Sequence, residues 1–144
     1  MIQLRQAKES DYDFCFLLKK ATLKDYIAKT WGWDEQWQIE YHSQHFNPDL
    51  LKIITKSEQD IGCISIIKEY DYYILSLIEI LPKFQNLGIG TNLIQKLLSD
   101  AKEQQKNVYL QVLISNKKAK KLYERLGFKI IEKTDTHYKM IYHS

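Results

Sequence analysis

The chain changes its hydrophobic period across the stretch Pro82-Lys83-Phe84-Gln85-Asn86-Leu87-Gly88-Ile89-Gly90-Thr91. Before it, residues 72–81 form a largely apolar run stopped by Pro82, the pattern of a buried strand. After it, Ile89, Leu93, Leu97 and Ala101 recur on one face with Ile94 and Leu98 beside them, which predicts an amphipathic helix. A strand that passes through a glycine-bearing turn into a helix restricts the chain to folds that mix the two. Gly88 and Gly90, two of only five glycines, sit in that turn. Glycine lets backbone approach a ligand closely and adopt dihedrals that other residues resist. The N–H groups at a helix start point outward beside the positive end of the dipole. Together these features make a cradle for a diphosphate; the plainer alternative is a tight turn whose glycines only pack. A Walker loop would need Gly-Lys-Ser/Thr at its end, and here Gly90 is followed by Thr91-Asn92. A dinucleotide fingerprint would need three spaced glycines near the first strand.

The rest of the chain supplies short elements around this turn. Residues 2–7 alternate as a half-buried strand would. Ser10 is a candidate helix cap, with Asp11 and Asp13 in the acidic first turn, and the helix is expected to run to about Lys29. A break at Trp31-Gly32-Trp33 follows, then a second helix capped by Asp34 and ending near Asn47-Pro48. Residues 50–55 and 61–67 read as strands around the polar turn Ser57-Glu58-Gln59-Asp60. Residues 108–114 form another strand. Asn116 caps a helix with Ala119, Leu122, Tyr123 and Leu126 on one face and Gly127 at its stop. Residues 128–132 and 138–142 close the chain as strands. The order is β-α-α-β-β-β-α-β-α-β-β, a mixed α/β arrangement with a central sheet flanked by helices.

With 144 residues and no internal repeat or Gly/Ser/Pro linker, the reading is one domain over residues 1–144. Hydrophobic residues at 44% and charged residues at 27% place it with ordinary globular chains. Cys15 and Cys63 form no ligand-spaced motif, which favours a reduced, cytoplasmic protein. Charged residues interrupt the N-terminal segment, and no stretch reaches the roughly 18 apolar residues of a membrane span. No membrane association is therefore expected. A net charge of +3 is a weak argument for nucleic acid, and no such partner is expected.

Gln85-x-x-Gly88-x-Gly90 with Pro82 just before it, followed by Asn116, Ala119 and Leu122-Tyr123-Glu124-Arg125-Leu126-Gly127-Phe128, resembles the two sequential motifs of the GCN5-related N-acetyltransferases (GNAT). The resemblance covers residues 77–128 and the element order of the whole chain. Gln85 departs from the arginine often found there, keeping hydrogen bonding and dropping a cationic contact. The resemblance implies a mostly antiparallel sheet splayed between strands 4 and 5, acetyl-CoA as cosubstrate with no metal, and direct transfer to an amine in a ternary complex. A non-catalytic acyl-CoA-binding or sensing module on the same fold is the alternative.

Carried residue by residue, it implies that Gln85, Asn86, Leu87, Gly88, Ile89, Gly90 and the Thr91 hydroxyl hold the pyrophosphate. Backbone near Ile78 and Ile80 would pair with the pantetheine arm, and Asn116 would hydrogen-bond that arm. Tyr123 matches the family's general acid; the alternative is simple packing on its helix face. Glu79 is the candidate base, directly or through water, unless alternation turns it to solvent. The acetyl acceptor is an amine of a small molecule or a protein, and a homodimer is compatible with the family. Trp31 and Trp33, at the helix break, and His137, between the last two strands, are candidates for lining the acceptor site. The favoured alternative is that the tryptophans anchor two helices to the sheet. Lys117, Lys118, Lys120 and Lys121 read as a solvated helix face or as partners of the adenosine phosphates. His42 and His45 read as a surface pair, since no third metal ligand is evident. Cys63 reads as a small core residue.

Overall fold

A computed structural model describes residues 1–144. Seven strands hydrogen-bond in the order β1-β2-β3-β4-β5-β7-β6, and four α-helices accompany them. The strands are β1 (Ile2–Gln6), β2 (Lys52–Lys56), β3 (Gln59–Lys68), β4 (Tyr72–Ile80), β5 (Asn107–Leu113), β6 (Lys129–Lys133) and β7 (His137–Tyr142). The helices are α1 (Tyr12–Trp31), α2 (Glu35–His45), α3 (Ile89–Glu103) and α4 (Lys117–Arg125). The sheet is mostly antiparallel, with β4 and β5 as its parallel pair. Their register runs only from Tyr72↔Asn107 to Ile74↔Tyr109, although β4 continues to Ile80 and β5 to Leu113. The parallel pairing of strands 4 and 5 thus covers three residue pairs.

The chain resolves into two compact units, one of residues 1–65 and 77–85 and one of residues 66–76 and 86–144. In the first, Ala7, Cys15, Leu18, Ile53 and Cys63 form a buried cluster joined by Phe14, Phe46, Leu51, Leu77 and Leu81. Ser10 does not cap α1. It lies within a 3-10 turn, Glu9–Asp11, and the capping position falls on Asp11. The buried Asp11 carboxylate accepts from Arg5 at 2.8 and 2.9 Å and from the Lys8 N–H at 2.8 Å. That guanidinium holds the carboxyl below the usual carboxylate range. The α1 helix runs through Trp31 and stops at Gly32, whose φ of +85° glycine adopts without penalty. Asp34 caps α2 as expected, accepting from the Trp37 N–H at 3.0 Å.

Gly62 on β3 was not singled out by the sequence, yet it is the tightest backbone approach in this unit. A Cβ there would lie 2.3 Å from the Glu79 carbonyl oxygen and 3.1 Å from the Ile80 Cα. An isolated glycine within a strand pattern is the signal that should have flagged it. Because the opposing atoms are backbone, Gly62→Ala is expected to cost about 3 kcal/mol or more. Denaturant midpoints at unchanged m-value measure that cost.

In the second unit, α3 buries Ile89, Ile94, Leu97, Leu98 and Ala101, the stripe the sequence predicts. Val108, Leu110 and Val112 are buried in alternation along β5. Six residue pairs, Val108↔Tyr142 to Leu113↔His137, join β5 to β7. Gly127, at φ +103°, ends α4 against the Tyr142 ring.

Candidate functional site

The segment between β4 and α3 begins with a 3-10 turn over Pro82–Phe84, where proline at the first position needs no N–H partner. Asn86 follows with φ +63° and Gly88 with φ +81°. These two left-handed residues turn the chain sharply into α3. Gly88 occupies the N-cap position, and no side chain caps the helix. The Asn92 N–H donates to the Gly88 carbonyl at 2.9 Å, so the amides of Ile89, Gly90 and Thr91 precede the first helical hydrogen bond. A Cβ built on Gly88 meets nothing within 4 Å. The glycine therefore relieves no internal crowding; it supplies a left-handed dihedral and leaves room above uncapped amides. Such a cradle fits a diphosphate.

Leu81 donates its N–H to the Ile61 carbonyl at 2.8 Å, on the β3 side. Since backbone groups alternate along a strand, Ile80 and Ile78 turn theirs to the opposite flank. The Gln85 side chain donates to the Ile80 carbonyl at 2.8 Å. Glutamine at this position thus pins the end of β4.

Glu79 does not face solvent. It is 4% exposed and lies on the same face of β4 as Tyr73 and Leu75, both buried. Around its carboxylate stand Cys63 of β3 and Lys19 and Thr22 of α1. The Cys63 thiol donates to Oε1 at 3.7 Å. Burial pushes the carboxyl up to about 7, against the opposing pull of Cys63, Lys19 and Thr22. Cys63 itself is a core residue, and hydrogen bonding to Cys15 together with burial raises its thiol well above the usual range. It stays protonated at neutral pH, a fixed donor rather than a nucleophile.

Tyr123 is the buried residue of α4. Its ring meets Phe128 edge-on, with centroids 5.9 Å apart, and burial pushes its phenol up to about 12. Asn116 caps α4 through Oδ1, which accepts from the Ala119 N–H at 3.2 Å. That oxygen has a structural duty, leaving the side-chain NH2 as the group for other partners. Of the α4 lysines, Lys120 sits 5.1 Å from the Tyr138 ring and 3.6 Å from Glu124.

Trp31 and Trp37 are 61% and 55% exposed, so they do not anchor helices to the sheet. The Trp33 indole donates to Glu35 at 2.8 Å and lies under the Lys24 ammonium. His42 and His45 are not a surface pair either. His42 is held at 2.8 Å from the Tyr12 carbonyl among Tyr12, Phe16 and Phe46, whereas His45 stacks on Tyr41 at 3.9 Å. His137 opens β7, with Nδ1 2.8 Å from the Thr136 hydroxyl, and partial burial lowers its imidazole.

The family model described as "Acetyltransferase (GNAT) family" matches residues 13–128, and the chain belongs to that family. It is 38% identical over 71 residues to N-alpha-acetyltransferase 50 of Danio rerio, covering 48% of this chain and 42% of that protein. It is 43% identical over 57 residues to an N-alpha-acetyltransferase of Sulfurisphaera tokodaii, covering 38% and 34% respectively. These matches span less than half the length of either relative. The fold is also that of the PaiA N-acetyltransferase of Thermoplasma acidophilum, solved in complex with coenzyme A, with a TM-score of 0.81 at 15% identity over 100% of this chain and 99% of that one. No helix of the chain is long and apolar enough to cross a membrane.

Proposed function

We propose that the protein transfers the acetyl group of acetyl-CoA directly to an amine, and that the amine is the α-amino group of a peptide or protein. The names of the two curated relatives carry the choice of amine, and the buried Glu79 carboxyl, pushed up to about 7, is the base set against it. An α-ammonium, with a pKa of about 8, gives its proton to such a base at a cost of about 1.4 kcal/mol. A lysine ε-ammonium, at about 10.4, costs more than 4 kcal/mol. Whatever the base, the α-amine gives up its proton more readily than the ε-amine near neutral pH.

Acetyl-CoA, when bound, supplies an activated thioester carbonyl and a thiolate leaving group. The amides of residues 86–91, Gln85 and the Thr91 hydroxyl are proposed to grip its pyrophosphate. The outward backbone of Ile78 and Ile80 would pair with the pantetheine arm, and the Asn116 amide would steady that arm. An N–H on this flank of β4 would stabilise the carbonyl oxygen as charge develops. Glu79 takes the proton from the attacking amine. Tyr123, protonated throughout the neutral range, gives a proton to the departing thiolate. The exposed Trp31, the half-buried Trp33 and the His137 imidazole are proposed to border the acceptor.

Thiol release from acetyl-CoA is the test, using peptides that offer either a free α-amine or a blocked α-amine with one lysine. Turnover should favour the free α-amine by at least about 100-fold at pH 7.5, the factor that an unfavourable proton transfer of this size implies. Equal turnover on both peptides would overturn the choice of amine. No turnover with saturable acetyl-CoA binding would mark a sensing module instead.

A further inference from the structure

The groups that surround Glu79 have no place in the transfer scheme, and they come from two separate elements. Cys15, Lys19 and Thr22 lie along α1 at spacings of four and three, one stripe of that helix. Cys63 reaches the carboxylate from β3, next to Gly62, whose missing side chain allows the two backbones to close up. Lys19 is itself partly buried, which lowers its ammonium. It lies within Coulombic reach of Glu79, and its Nζ sits 4.8 Å above the Tyr41 ring of α2. The ring face attracts that head group toward α2.

We propose that Lys19 and Cys63 are positioning residues that set the proton affinity of Glu79, with Tyr41 holding the Lys19 ammonium in place. Without them a carboxylate this buried would stay protonated at neutral pH and could accept nothing. With them it ionises close to neutrality. The inference rests on reading Glu79 as the base. The charged and titratable groups facing it are Lys19 and Cys15 from α1 and Cys63 from β3, with Thr22 as a neutral hydrogen-bond partner. Arg5 and Asp11 act on Cys15.

Two readouts separate this inference from the reading beneath it. The first is the titration midpoint of the Glu79 side-chain carboxyl carbon, followed by NMR in isotope-labelled protein. The second is the acidic limb of kcat against pH. Lys19→Met and Cys63→Ala should each move both upward, Lys19→Met by about one pH unit. Lys19→Arg and Cys63→Ser, which keep the cation and the donor, should restore wild-type values. Tyr41→Leu should shift the midpoint in the same direction as Lys19→Met, by less. A midpoint unmoved in folded Lys19→Met and Cys63→Ala protein would overturn the inference, whatever Glu79 does in catalysis. If instead the midpoint moves and Glu79→Gln retains full turnover, the tuning stands and the base assignment falls.

Discussion

Replacing Glu79 with glutamine should lower kcat by about 100- to 1,000-fold, the range that loss of a positioned general base produces. The same change should make the protein more stable at pH 8. The sign follows from the direction of the shift. Folded Glu79 holds its proton up to about pH 7, whereas the ordinary value is 4.5. The folded state therefore binds more protons between those values, and stability falls as pH rises through that window. Glutamine is isosteric and carries no charge to desolvate, so the variant avoids that loss. The gain should be absent below pH 4, grow between about pH 5 and 7, and level off on the order of 3 kcal/mol. Thermal melts of both proteins across this range, beside steady-state rates, check the pair of effects. A carboxylate that merely packs would give the stability change without the rate loss. In the wild type, kcat should climb as pH rises through about 7, as Glu79 becomes ionised.

Tyr123→Phe should lower kcat by about 100-fold and leave coenzyme A affinity unchanged. The substitution removes only the hydroxyl, and the ring keeps its edge-on contact with Phe128. Stability should change by no more than about 1 kcal/mol. Because the phenol sits near 12, Tyr123 contributes no limb to the rate profile at neutral pH. The loss should shrink with acyl donors whose leaving thiol is more acidic, since a stable thiolate needs no proton. A uniform loss across such donors would point to packing.

The loop, the strand before it and the helix after it were legible because glycine, proline and a change of period act locally. Asp34 and Asn116 were legible as caps for the same reason. The orientation of Glu79 was not. Residues on both faces of β4 are apolar, so alternation offered two equal answers, and only the packing of α1 through Lys19 and Thr22 decides between them. Ser10 looked like a cap until a partner distant in sequence, Asp60, joined Arg5 and Asp11 in one ion cluster. The tryptophans invited a core reading because indoles usually bury; at the end of α1 and on α2 they face outward. An isolated glycine in a strand pattern flags Gly62 as a place of close approach, but not what approaches, because its partner is the backbone of another strand.

Calorimetric titration of the protein with coenzyme A asks whether the amides of residues 86–91 hold a diphosphate. One saturable site is expected, weakened at least tenfold in Gly88→Val, whose branched side chain would fill the open space above the helix start and resist the left-handed dihedral. No heat at millimolar coenzyme A, or equal affinity in the folded variant, would contradict the account.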